Sequence, residues 1–102
     1  MKINWTDNAI QDLKEIKAYI SKDSDFYATR FIEKLIDGIS PLSQFPEMGR
    51  SVPEAQDDLI RELIYRPYRI IYKINEKHID IITVVNSHRD LTNPDLKKWE
   101  IG

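Results

Sequence analysis

Arg61, Arg66, Arg69, Lys73, His88 and Arg89 fall within 29 residues and are interleaved with Tyr65, Tyr68 and Tyr72. A guanidinium can stabilise the charge that builds on a phosphorane, and an imidazole can carry a proton near neutral pH. Arg61, Arg69 and His88 could therefore cleave RNA without a metal. The same arginines could instead form salt bridges to a carboxylate-rich peptide. Other chemistries are closed. There is no cysteine, so thiol nucleophiles, disulfides and iron–sulfur sites are excluded. His78 and His88 have no metal-ligand spacing with each other or with a carboxylate. Three glycines, at 38, 49 and 102, make no phosphate-cradling loop. No cofactor and no metal are expected.

The net charge of −2 argues against generic nucleic-acid binding, but the charge is unevenly spread. Residues 1–60 carry 7 Lys and Arg against 11 Asp and Glu, giving −4, while 61–89 carry 6 against 3, giving +3. The basic residues must be held by whatever elements form in the second half. At 102 residues, 41% of them hydrophobic, the chain is expected to be one domain, 1–102, with a core of its own. The longest uninterrupted apolar runs are only a few residues, such as Ile70-Ile71-Tyr72, and Met1-Lys2-Ile3-Asn4 opens no signal-peptide core. A cytoplasmic protein without membrane contact is expected.

Lys2-Ile3-Asn4-Trp5 alternates and meets Thr6-Asp7-Asn8, which predicts a first strand running into a helix cap. Ala9, Leu13, Ile16 and Ile20 form one helical stripe. After the polar run 21–25, Ala28, Phe31, Leu35, Ile39 and Leu42 form another, so the two helices should make an antiparallel hairpin. Pro41 either kinks the second helix or begins a new turn capped by Ser40. Residues 45–58 have neither period and should be an ordered loop.

From Leu59 the period becomes 2. Strands are expected near 59–65, 68–75 and 78–86, with turns at Arg66-Pro67 and Asn75-Glu76-Lys77. In the middle strand Tyr68, Ile70, Tyr72 and Ile74 share the core face, which makes the two tyrosines packing residues, while Arg69, Ile71 and Lys73 face away from the helices. In the last strand Ile79, Ile81 and Val85 should oppose Ile82 and Val84. Something besides the hairpin must then cover part of the second face. Asn93-Pro94 would open a short helix over 92–99. Trp5 and Trp99 should anchor the core or an interface.

The order of these elements and several strings resemble the RelE/ParE superfamily of type II toxin–antitoxin toxins, with the likeness leaning to ParE. The carrying strings are Phe45-Pro46-Glu47-Met48-Gly49-Arg50, Arg61-Glu62-Leu63, Pro67-Tyr68-Arg69-Ile70-Ile71-Tyr72 and Val85-Asn86-Ser87-His88-Arg89-Asp90. Gly49, Arg50, Tyr68, Arg89 and Asp90 carry the family motifs. The resemblance implies an α+β fold, a helical hairpin on a small, largely antiparallel sheet. It also implies an antitoxin wrapped around the toxin, with oligomers formed through that complex, and one of two activities: ParE-like poisoning of DNA gyrase, or RelE-like, ribosome-dependent mRNA cleavage. Arg69 falls where RelE-like toxins keep an active-site arginine, and His88 near a second basic position. No tyrosine follows Tyr72 to serve as those nucleases' C-terminal tyrosine. Glu54, Asp57 and Asp58 stand where such nucleases often place lysines, and Asn86 takes the histidine place of the ParE-like His-x-x-Arg-Asp. A gyrase-inhibiting binding protein is the favoured reading. Its antitoxin is expected to be acidic and to dock on the sheet through Arg69, Ile71 and Lys73.

Overall fold

Thr6 turns the chain from strand to helix. Its backbone is extended, and its hydroxyl accepts a hydrogen bond from the Ala9 N–H at 3.2 Å, satisfying a donor that has no partner in the helix. Ser24 does the same for the second helix, accepting from Tyr27 N at 3.1 Å. Each cap is followed by an aspartate, which the positive end of the helix favours. In the computed structural model, which describes residues 1–87, the elements are β1 (Lys2–Trp5), α1 (Asp7–Ser21), α2 (Asp25–Ile39), β2 (Arg50–Ser51), β3 (Ile60–Tyr65), β4 (Tyr68–Ile74) and β5 (His78–Asn86). The segment 92–99, with Trp99, lies outside the described residues, as do His88, Arg89 and Asp90.

The five strands form one sheet in the order β1-β5-β4-β3-β2, with β1 parallel to β5 and every other pair antiparallel. The α+β architecture, a hairpin on a largely antiparallel sheet, is borne out. Ala9, Ile16, Leu35, Ile39 and Leu42 from the helical side meet Tyr68, Ile70, Tyr72, Ile79 and Ile81 from the sheet, and Trp5 packs against this cluster half-buried.

Three local expectations are corrected. Pro41 does end α2, but Ser40 does not cap the next 3-10 turn: it is the turn's first residue, and its hydroxyl donates back to Ile36 O at 3.2 Å. Within the supposed loop 45–58, Arg50 and Ser51 pair with Glu62 and Arg61 as a two-residue strand, too short to show any period. In β5 the pairing with β4 steps from Thr83↔Ile71 to Ile81↔Tyr72, so Ile82 is one residue extra. That bulge exchanges the faces of the remainder of β5, putting Val84 in the helix-side core and Val85 on the opposite face. Val52 and Ala55, from the chain between β2 and β3, supply the expected cover there, packing with Ile60, Ile71, Ile82 and Val85.

Beyond Trp5 the outer edge of β5 has no strand beside it among the described residues, and the start of α1 takes over. Thr6 Oγ1 donates to Ile81 O at 2.7 Å and Asn8 Nδ2 to Ile82 O at 2.9 Å. The Asp12 carboxylate accepts from the Thr83 hydroxyl at 2.5 Å and from Val84 N at 3.0 Å. Asp12→Ala should strand both donors and lower stability by about 1–3 kcal/mol. Thermal melting checks this against Lys14→Ala on the exposed side of α1; equal melting temperatures would contradict the edge-sealing role.

Candidate functional site

Two side-chain clusters lie back to back across β3 and β4. The first follows from period 2 and register. Glu62 faces away from the helices, Arg50 pairs with it from β2, and Arg69, opposite Ile64, is its diagonal neighbour on β4. Glu62 is 1% exposed. Its Oε1 accepts from Arg50 Nε at 2.7 Å, and its Oε2 meets both Nε and Nη2 of Arg69 at 2.5 Å. Glu54, on the chain covering this face, reaches the outer side of the same guanidinium, Oε2 at 3.3 Å from Nη1 and Oε1 at 3.4 Å from Nη2. Two arginines and two glutamates thus meet in one cluster. Burial works against the charged form of Arg69, but Glu54 and Glu62 outweigh it, and the guanidinium is held above its ordinary value.

The second cluster faces the helices. The Tyr72 hydroxyl donates to Pro46 O at 2.7 Å and accepts from Gly49 N at 3.0 Å, while Arg61 Nη1 donates to Gly49 O at 3.0 Å. A Cβ on Gly49 would stand 2.6 Å from both Glu62 O and the Tyr72 hydroxyl. Burial pushes the Tyr72 phenol up, against the Gly49 N–H bond and the nearby Arg61 charge, which favours a protonated donor at neutral pH. The Pro46-x-x-Gly49-Arg50 string therefore has a physical content: a carbonyl for Tyr72, a close backbone approach, and a cation for Glu62. Tyr68 is raised by burial and then by Tyr19, and it packs against Phe31 with centroids 5.7 Å apart. Core packing holds for both tyrosines.

Arg61 and Arg69 are not brought together, since the sheet lies between them. Arg69 does face away from the helices as expected, but it is 9% exposed and already paired. Ile71 is fully buried beneath Val52 and Ala55, while Lys73 is half-exposed on β4. The sequence reading missed Glu54 and Glu62 as partners. For Glu62 a signal existed, because Ile60, Glu62 and Ile64 alternate against Leu63 and Tyr65 and so share a face. Among the described residues no three His, Cys, Asp or Glu gather to hold a metal ion, and no helix is long and apolar enough to cross a membrane.

A family model described as the ParE toxin of the type II toxin–antitoxin system parDE matches residues 3–91. The chain is 33% identical over 90 residues to "Putative toxin Y4kP" of Sinorhizobium fredii, across 86% of this chain and 90% of that one. It is 27% identical over 88 residues to "Toxin RelE2" of Caulobacter vibrioides, across 86% and 97%. Among solved structures, the "Chromosomal ParDE TA system from P. aeruginosa" has the same fold, with a TM-score of 0.71 and 24% identity over 84% of this chain and 95% of that one. The matched span takes in the Gly49-Arg50 turn and the Tyr68–Tyr72 strand whose contacts are described above, and the chain belongs to the ParE toxin family of type II toxin–antitoxin systems.

Proposed function

We propose that this toxin inhibits DNA gyrase in the cytoplasm as a binding protein rather than a nuclease. An antitoxin encoded beside it neutralises it, and the two assemble into the resting oligomer. The observation that carries the reading is the separation of Arg61 from Arg69 by the sheet, with Arg69 saturated by two carboxylates. Metal-free cleavage of RNA needs an acid, a base and a cation converging on one phosphate, and losing the acid or base costs ~10²–10⁴-fold in rate. Residues 73–102 contain no tyrosine to supply such a group. The antitoxin docks on the sheet face carrying Arg69 and Lys73, meeting the cover over Ile71 rather than Ile71 itself.

Induction in cells tests the target. The wild-type protein and His88→Ala should both give DNA damage and filamentation, and both should lose toxicity when gyrase carries a resistance change. Discrete cleavage in the ribosomal A site that disappears in His88→Ala would replace this reading with the RelE-like ribonuclease.

A further inference from the structure

We propose that the target is received on the helix side of the sheet, where an open apolar pocket edged by Glu47 takes an apolar side chain of gyrase with an arginine or lysine beside it. That the segment belongs to gyrase rests on the inhibition proposed above; the chemistry that the pocket selects does not.

The pocket has a volume of about 680 Å³ and is lined by Met1, Phe45, Pro46, Glu47, Met48 and Ile74. Phe45 is 60% exposed, Met48 45% and Met1 44%. Three large apolar side chains left to water around one concavity are what a partner's buried anchor requires. The wall is already fixed. The Tyr72 hydroxyl holds Pro46 O, while Arg61 donates to Gly49 O at 3.0 Å and to Glu47 O at 3.5 Å. An incoming side chain therefore meets a formed cavity, and no ordering of the wall has to accompany its entry. The unbranched thioethers of Met1 and Met48 adapt to its shape.

Charge selects the partner. The carbonyls of Pro46, Glu47 and Gly49 are taken by Tyr72 and Arg61, and the Met1 ammonium is bound to Ser43 O. Glu47 carries the one charged side chain in the lining, and its exposed carboxylate forms no ion pair among the described residues. An arginine fork meets both oxygens of such a carboxylate, and a cation is also attracted to the face of a ring like that of Phe45. An acidic segment or a phosphate backbone is repelled. The acidic antitoxin is thereby kept to the opposite face of the sheet, where Arg69 and Lys73 lie, and the two partners address different sides of the toxin.

Two blocked dipeptides, acetyl-Phe-Arg-amide and acetyl-Phe-Glu-amide, are titrated into the full-length protein while the methyl resonances of Met1 and Met48 are followed by NMR. The basic dipeptide should bind about fivefold more tightly, and Glu47→Gln should remove the preference. Purified gyrase and the antitoxin are then titrated separately. Phe45→Ser, Met48→Ser and Glu47→Lys should each weaken gyrase binding by about tenfold, whereas Glu33→Lys, the same charge change on the exposed side of α2, should leave it unchanged. Antitoxin affinity should hold in every variant. Glu47 is exposed, so its variants keep the fold and carry the test even where a Phe45 variant unfolds. Equal affinity for the two dipeptides overturns the chemistry of the pocket. Gyrase binding that survives Glu47→Lys and Met48→Ser, or antitoxin binding that falls with it, overturns the separate target surface. A wild type that prefers the basic dipeptide yet does not bind gyrase overturns the target proposed above and upholds the pocket.

Discussion

Glu62→Ala should destabilise the protein by about 3–5 kcal/mol, the range for removing one partner of a buried ion pair. Glu62 receives three charged N–H contacts from two arginines, and its side chain has no exposure to water. Without it, Arg69 keeps only the longer contacts to Glu54 in a setting that is nine-tenths buried. Arg50 is different, because its side chain is 69% exposed and water can replace the lost partner. Arg50→Ala should therefore cost much less, about 1 kcal/mol. Urea unfolding with unchanged m-values measures both. The double variant Glu62→Leu with Arg69→Met should recover most of the loss, since the cost lies in the charge left alone and not in the absence of the pair. A Glu62→Ala protein as stable as Arg50→Ala would sink this account of the cluster.

Gly49→Ala is expected to cost about 3–4 kcal/mol, from overpacking together with the loss of buried hydrogen bonds. The new methyl would meet Glu62 O, which is sheet backbone, and the Tyr72 hydroxyl, which Pro46 holds from the other side. Neither can retreat cheaply. The 46–51 segment would have to lift, breaking the Gly49–Tyr72 bond and the Arg61 bond to Gly49 O. Gly38 is the contrast: it lies in α2, and a methyl added there would meet nothing within 4 Å. Gly38→Ala should stabilise by about 0.5–1 kcal/mol through helix propensity alone. Melting curves in which the two alanines shift stability in the same direction would refute the close-approach argument.

The helices and the faces of β4 were legible because each rests on a period that one stretch of chain reveals by itself. Ala9, Leu13, Ile16 and Ile20 announce α1, and Tyr68 to Ile74 alternate cleanly through burial on both sides of the sheet. The faces of Val84 and Val85 were not legible, because a bulge adds one residue at Ile82 and nothing in its side chain marks it. The candidate site divides in the same way. Period 2 alone places Arg69 on the face away from the helices. That Glu62 lies beside it depends on register, which the two-residue turn at Arg66-Pro67 sets by making Tyr65 pair with Tyr68. Glu54 was out of reach altogether, since it arrives from a connection without periodicity. The basic character of residues 61–89 was real in composition and misleading in space, because acids from both halves of the chain neutralise its central arginine.

The placing of β1 has a consequence for the order in which the chain folds during synthesis. Among the described residues β1 has no strand neighbour except β5, and Thr6, Asn8 and Asp12 spend their polar groups on Ile81 to Val84. As the ribosome extends the chain, the hairpin and the β3–β4 pair can gather from local contacts. The first strand has to wait for the last, across almost the whole described length, and such distant pairings are slow to close. A nascent chain stopped short of β5 lacks the strand that joins its two ends into one sheet. The two ends of the chain can join into one sheet only once β5 has left the ribosome.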